Sequence, residues 1–319
     1  MAEFELIDRI RARVPARADV ALGIGDDAAV LQVPTGRQLV VCADTLNEGV
    51  HFPVGTAAAD IGWKALAVNL SDLAAMGAEP AWCTLSLSLP EPGEAWLDGF
   101  IDGFLELAAL HGVTLVGGDT TRGPLSVSVT AHGFVEPGRA LRRSGASVGE
   151  DLWVSGTLGD AAAALALLEQ GAPAALRKRL DRPVPRVALG RVLAGIATAA
   201  VDISDGLLAD LGHICQASGV GAEVELDLLP ASGTLRTCFA PDRRHVLQAT
   251  GGDDYELCFT APPDRAGAIT AAADLAGARV TRIGATVPGT QVAARGADGP
   301  VRVSGRPGYE HFGMGNGQK

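Results

Sequence analysis

Seven aspartates of this chain stand in stretches that otherwise read as buried. They are Asp26 and Asp27 in GIGDDAAV, Asp44 in ADT, Asp72 in NLSDLAAMGAEP, Asp119 in LVGGDTTRG, and Asp202 and Asp205 in VDISDG. Each has glycine, serine or threonine close by. A carboxylate in such a place needs a partner. Cations are scarce nearby, and lysine occurs only as Lys64, Lys178 and Lys319. The economical partner is a divalent metal, and behind the metal a phosphate.

The 319 residues suffice for a large core and favour two domains over one. An apolar fraction of 47% excludes a disordered chain. The formal charge of -11 disfavours nonspecific nucleic-acid or anionic-membrane binding. It leaves room for an anionic ligand delivered with Mg²⁺, because the ion reverses the local sign. Five cysteines show neither a CxxC pair nor a zinc pattern. The N-terminal stretch MAEFELIDRIRARV reads as an amphipathic helix without a secretory h-region. No run is long enough to span a bilayer. The expectation is a soluble cytoplasmic protein.

Periodicity gives mixed elements in both halves. RQLVVCADT and AWCTLSLSLP read as strands. EAWLDGFIDGFLELAALHG reads as a helix with Gly112 at its C-cap. AAADIGWKALAVNLSDLAAMGA reads as one long helix or two abutting ones, with Asp60 as a candidate N-cap. The segment EPGRALRRSGASVGE has little apolar periodicity and marks the domain junction. These features predict two mixed α/β (α+β) domains, 1–137 and 138–319, the second completing a ligand cleft.

Each candidate site has a plainer reading. Asp26-Asp27 and Asp44 are also ordinary turn or strand-end residues. Asp72 falls inside an apolar helical pattern, where a cap between two helices is the alternative. In LVGGDTTRG, Gly118 allows close backbone approach and Asp119 can hold a cation against phosphate oxygens. The set Asp202, Ser204 and Asp205 is the most compact, although Ser204 could simply cap the next helix. Arg143 offers a guanidinium fork suited to phosphate, or a solvated linker charge. His51 lies near a polar loop. In GGDDYEL, a strand running through the motif would put Asp254 and Glu256 on one side, next to Asp253. Tyr309 could stack on an aromatic ligand or sit at a core edge. Lys64 reads as a surface or snorkelling lysine. No Walker A loop, GxSxG elbow or HExxH helix is present.

Taken in order, GIGDDAAV, ADTLNEGVHF, GWKALAVNLSDLAAMGAEP, LVGGDTTRGP, RRSGASVGE, DISDGL, GGDDYEL and GYEHFG closely resemble the thiamine-monophosphate kinase family. That family shares a superfamily with aminoimidazole ribonucleotide synthetase and selenophosphate synthetase. The resemblance implies ATP-dependent phosphorylation of thiamine monophosphate to thiamine diphosphate. It also implies a homodimer formed through the N-terminal sheets. It assigns Mg²⁺ ligation to Asp27, Asp44, Asp72, Asp119, Asp202 and Asp205. ATP contacts fall to Gly118, Asp119, Arg143 and Ser204, and substrate contacts to His51, Asp253, Glu256 and Tyr309. The chain departs from the family pattern at Cys42-Ala43, where Ser-Thr is frequent, and at Asp253, where GGED is frequent. Two rival readings are another ATP-dependent enzyme of the superfamily and a noncatalytic nucleotide- and Mg²⁺-binding regulator.

Overall fold

Helices and strands alternate along most of the chain. The computed structural model describes residues 3–91, 93–296, 299–301 and 308–309. The elements run α1 (Glu3–Arg11), β1 (Val20–Leu22), β2 (Val30–Leu31), β3 (Gln38–Asn47), α2 (Ala58–Ala75), β4 (Glu79–Leu89), α3 (Glu94–His111), β5 (Thr114–Arg122) and β6 (Ser126–Val135). They continue with β7 (Asp151–Ser155), α4 (Asp160–Ala166), α5 (Ala174–Asp181), α6 (Val187–Leu193), β8 (Ala199–Asp202), α7 (Leu207–Ser218) and β9 (Gly221–Glu225). The last are α8 (Gly233–Cys238), α9 (Pro241–Thr250), β10 (Leu257–Ala261), α10 (Ala266–Leu275), β11 (Val280–Val287), β12 (Val292–Gly296) and β13 (Gly299–Val301). Two compact mixed α/β units result. One comprises Met1–Leu141, Asp181–Ile196 and Ala272–Gly277; the other comprises Arg142–Leu180, Ala197–Ala271 and Ala278–Lys319. Among the described residues no helix is long and apolar enough to cross a membrane.

The first unit carries a four-stranded sheet in the order β3-β6-β4-β5. Its pairs are antiparallel except β4 with β5, which run parallel. Alternation in β6 sends Val127, Val129 and Ala131 into the core, where α2 packs against β6 and against α3. Asp72 belongs to one continuous helix, since α2 runs unbroken to Ala75. Asp60 is not its N-cap. The cap position is Ala57, with no side-chain bond, and Asp60 pairs instead with Arg182. As predicted, α3 ends at Gly112, whose φ of 64° closes the helix in the left-handed region.

A segment from beyond residue 180 completes this unit. The Trp63 indole donates to the Pro183 carbonyl at 2.7 Å, and the Arg182 guanidinium lies 5.2 Å from the Trp63 ring centroid. Helix α6 buries Val187, Leu189 and Leu193 and packs on α2. The other sheet face is partly covered: Trp82 and Phe134 meet edge-on at 5.0 Å beneath Val20, Ala29 and Leu31. Further along that face, Leu39 and Val41 remain 44% and 53% exposed.

The second unit holds a seven-stranded sheet, β13-β12-β9-β11-β7-β10-β8. Strand β10 (LCFTA) is buried throughout, as a central strand with both faces covered must be. It pairs antiparallel with β7 on one side and β8 on the other. Helix α7 contributes Leu207, Leu211, Ile214 and Cys215 to a cluster with Leu152, Val154, Val201 and Ile203. This packing fixes the corner between β8 and α7, where Asp202, Ser204 and Asp205 lie.

Candidate active site

The β8–α7 corner is organised by a residue that pattern reading passes over. Asp210, in the first turn of α7 and 3% exposed, turns Oδ2 back to the chain. It accepts the backbone N–H groups of Ser204, Asp205 and Gly206, each at 3.0 Å. Gly206 is required here, because its φ of 133° is closed to L side chains and an added Cβ would stand 2.8 Å from the Thr250 carbonyl oxygen. Ser204 does not cap α7; Gly206 holds that position without a side-chain bond. Burial pushes the Asp210 carboxyl up to about 7, helped by the charges of Asp202 and Asp205 and opposed by the Gly206 and Asp205 N–H groups. Asp202 and Asp205 are thus near enough to act on Asp210 through their charge. Asp210→Ala is expected to cost about 2 kcal/mol of folding stability by stranding backbone donors. Asp210→Asn keeps an acceptor oxygen and should lose less than half of that, as read by urea unfolding.

The GGDDYEL segment docks on this corner through its backbone. The Asp253 N–H donates to Ser204 O and the Tyr255 N–H to Ile203 O, both at 2.8 Å, while Ile203 N–H donates to Glu256 O at 2.8 Å. The Tyr309 N–H reaches Asp205 O at 3.1 Å. Four separate sequence motifs are therefore brought to one place: Asp202, Ser204 and Asp205 from one, Asp210 from the next helix, Asp253 from the third and Tyr309 from the tail. The remainder of GYEHFG beyond Tyr309 lies outside the described residues.

The strand expected through Asp254 and Glu256 does not form. Asp253 and Tyr255 have φ values of 66° and 50°, and β10 begins only at Leu257. Left-handed residues on both sides of Asp254 turn its side chain inward, where both carboxylate oxygens accept the Gly159 N–H at 2.9 and 3.0 Å. Burial holds the Asp254 carboxyl well above the usual carboxylate range. Glu256 is also fully buried. Its Oε1 pairs with Arg179 at 2.7 Å and its Oε2 accepts from Ser155 Oγ at 2.6 Å. The Tyr255 hydroxyl donates to Asp253 Oδ1 at 3.1 Å. Two left-handed non-glycine residues in three positions store strain, the kind that clusters at ligand sites. Arg143 is exposed, and its carbonyl accepts from Ser218 Oγ at 3.1 Å.

In the first unit, Asp44 and Asp72 both neighbour Asn69. The Asn69 Oδ1 accepts the Asp44 N–H at 3.2 Å, and Asp72 follows three residues later on the same helix face. The Cys42 thiol reaches the Asn69 carbonyl at 3.4 Å. Asp119 lies elsewhere. The row Asp44–Val129–Leu85–Gly118 crosses the whole sheet, and Asp119 is one row further on. At about 4.8 Å per strand the two edges stand about 14 Å apart, too far to share one ion. Gly118 is needed where it is: its φ is 150°, and a Cβ would fall 1.8 Å from the Leu85 carbonyl oxygen. Asp26 and Asp27 sit exposed between β1 and β2, with the Asp27 N–H on Asp26 Oδ1 at 2.8 Å.

Lys64 corrects a further expectation. Lys64 is not a surface residue but 2% exposed, and its Nζ donates to the His51 carbonyl at 2.9 Å. As for metal, carboxylate oxygens are the donors that hard divalent cations take, and the negative charge of Asp202 and Asp205, which adds to the effect of burial on Asp210, is the kind such an ion relieves. Among the described residues no three His, Cys, Asp or Glu side chains are placed to hold an ion by themselves. Mg²⁺ keeps several waters and binds through one or two carboxylates and phosphate oxygens.

Two mixed units with acidic glycine corners define a protein of the AIR synthase related class. The descriptions "AIR synthase related protein, N-terminal domain" and "AIR synthase related protein, C-terminal domain" match residues 25–135 and 147–296. Within that class the chain belongs to the thiamine-monophosphate kinase family. It is 47% identical to the thiamine-monophosphate kinase of Escherichia coli (strain K12), over 97% of this chain and 98% of the relative. The crystal structure of the thiamine-monophosphate kinase of Stenotrophomonas maltophilia K279a superposes with a TM-score of 0.87 at 58% identity, covering 92% of this chain and 96% of that one. A structure described as AaThiL complexed with AMPPCP and TMP superposes with a TM-score of 0.77 at 34% identity, covering 97% of each chain.

Proposed function

We infer that this chain is a kinase that transfers the γ-phosphoryl group of ATP to the phosphate of thiamine monophosphate, yielding thiamine diphosphate and ADP. The observation that carries this is the relative holding AMPPCP and TMP together, aligned over nearly the whole of both chains. Those are an analogue of the donor and, in this family, the acceptor. The acceptor oxygen is anionic near neutral pH, so the site needs no strong base. It needs two polyanions side by side and in line, and positioning and electrostatics supply most of the catalysis. Mg²⁺ ions held by Asp27, Asp44, Asp72, Asp119, Asp202 and Asp205 would offset the phosphate charge and stabilise the charge of the transferring group. Gly118, Arg143 and Ser204 would meet ATP. Asp119 would meet it through its ion.

His51, Asp253 and Tyr309 would contact thiamine monophosphate. Glu256 would serve them from beneath, since its pair with Arg179 fixes the turn that carries Asp253. Transfer is direct, without a phosphoenzyme. The test is product identification: thiamine diphosphate and ADP should form in equal amounts from ATP and thiamine monophosphate. Turnover of formylglycinamidine ribonucleotide in its place, or ATP binding without turnover, would refute the assignment.

The same reading makes the protein a cytoplasmic homodimer. The exposed Leu39 and Val41 lie on the uncovered part of the first unit's sheet, a surface suited to a second copy of this chain. Sedimentation at twice the chain mass is expected, and Val41→Glu should shift it towards monomer. A monomer at every concentration of the parent protein would refute the dimer.

A further inference from the structure

Lys64 carries a charge inside an apolar helix, and that placement asks for a reason. Every residue of α2 from Ile61 to Ser71 is buried, so the helix has no wet face for a lysine there. Burying an ammonium costs several kcal/mol unless its donors are satisfied. The Lys64 Nζ donates to the His51 carbonyl at 2.9 Å. That carbonyl belongs to a tight loop. The N–H groups of Val50 and His51 donate to Asn47 O at 3.2 and 3.0 Å, and Gly49 N–H donates to Phe52 O at 2.8 Å. The ring is fixed inside the same loop, because His51 Nδ1 accepts the Asn47 N–H at 2.9 Å. With Nδ1 as acceptor, the neutral imidazole carries its proton on Nε2.

We propose that Lys64 is a positioning residue for the acceptor: through the His51 carbonyl it sets the loop so that the His51 Nε2–H meets an oxygen of the thiamine monophosphate phosphate. The proposal rests on the reading above in which His51 contacts the acceptor. Lys64 itself touches neither substrate. Its helix also carries Asn69 and Asp72, so one rigid element sets both the His51 loop and the carboxylates near β3. A buried cation that served packing alone could be replaced at no functional cost by a side chain of equal length.

The experiment is a double-mutant cycle on the full-length protein. Lys64→Met keeps the length of the side chain and removes the charge. It should leave the unfolding temperature unchanged or higher, raise KM for thiamine monophosphate about tenfold, and leave KM for ATP within about twofold. Lys64→Gln retains a donor of shorter reach and should fall between parent and Lys64→Met. His51→Ala should also raise KM for thiamine monophosphate. Combining it with Lys64→Met should add little further loss, because Lys64 acts through the ring that is already gone. An unaltered KM for thiamine monophosphate in Lys64→Met beside an impaired His51→Ala overturns the role of Lys64 alone. So does a double variant in which the two losses multiply. An unaltered KM in His51→Ala overturns the substrate contact itself, and the Lys64 proposal with it.

Discussion

Stripped of divalent cations, the protein is expected to form no detectable thiamine diphosphate while remaining folded. The chain has a formal charge of -11 and three lysines, and its acidic corners would repel both ATP and a phosphate monoester. Two unit charges 4 Å apart interact by about 4 kcal/mol at the effective dielectric of a protein surface, and both reactants carry several. Among the residues assigned to the site Arg143 alone carries a permanent positive charge, whereas each core is built from apolar packing that owes nothing to metal. Dialysis against a chelator, then titration with MgCl₂, should restore product formation from zero. Circular dichroism should report the same fold before and after. Undiminished turnover in metal-free protein would end the metal-assisted reading.

Asp72→Asn should lower kcat by about 100-fold, the usual cost of losing one preorganised electrostatic group. Its stability should change little, with a shift in the unfolding temperature of no more than about 2 °C. The asymmetry follows from its place. Asp72 lies in the last turn of α2, half-buried, and the Asn69 side chain ties this helix to β3. An amide of equal shape preserves the helix and removes the charge that ions and phosphates would meet. Raising Mg²⁺ should recover part of the loss. Equal rates for mutant and parent across the Mg²⁺ range would remove Asp72 from the site.

Local patterns in the sequence foretold the elements that have one wet face or one clear stop. Helix α3 and its Gly112 cap are of this kind, and so is β4, which ends before Pro90. Patterns failed where burial is complete. In α2 the residues from Ile61 to Ser71 are all covered, so no polar stripe distinguishes Lys64 from its neighbours, and it reads as a surface lysine. Asn69 had a usable signal, an amide between Val68 and Leu70 in an apolar helix, yet its tie to Asp44 required a strand remote in sequence. Asp210 looks like a routine acidic residue of a first helical turn. Its role depends on the backbone of Ser204, Asp205 and Gly206 folding back towards it. The turn at Asp253 and Tyr255 defeated alternation: aspartate tolerates a positive φ, but a tyrosine does not announce one.

The order of synthesis matters for this protein. Helix α2 gains its α6 partner, and Trp63 its bond to Pro183, only after the 39 residues Arg142–Leu180 of the other unit have been made. A fragment cut at Leu141 would leave the ribosome with Trp63 and one flank of α2 bare, and should be prone to aggregate. Attempts to express the leading portion alone, or to exchange it between relatives as a cassette, must carry residues 181–196 with it.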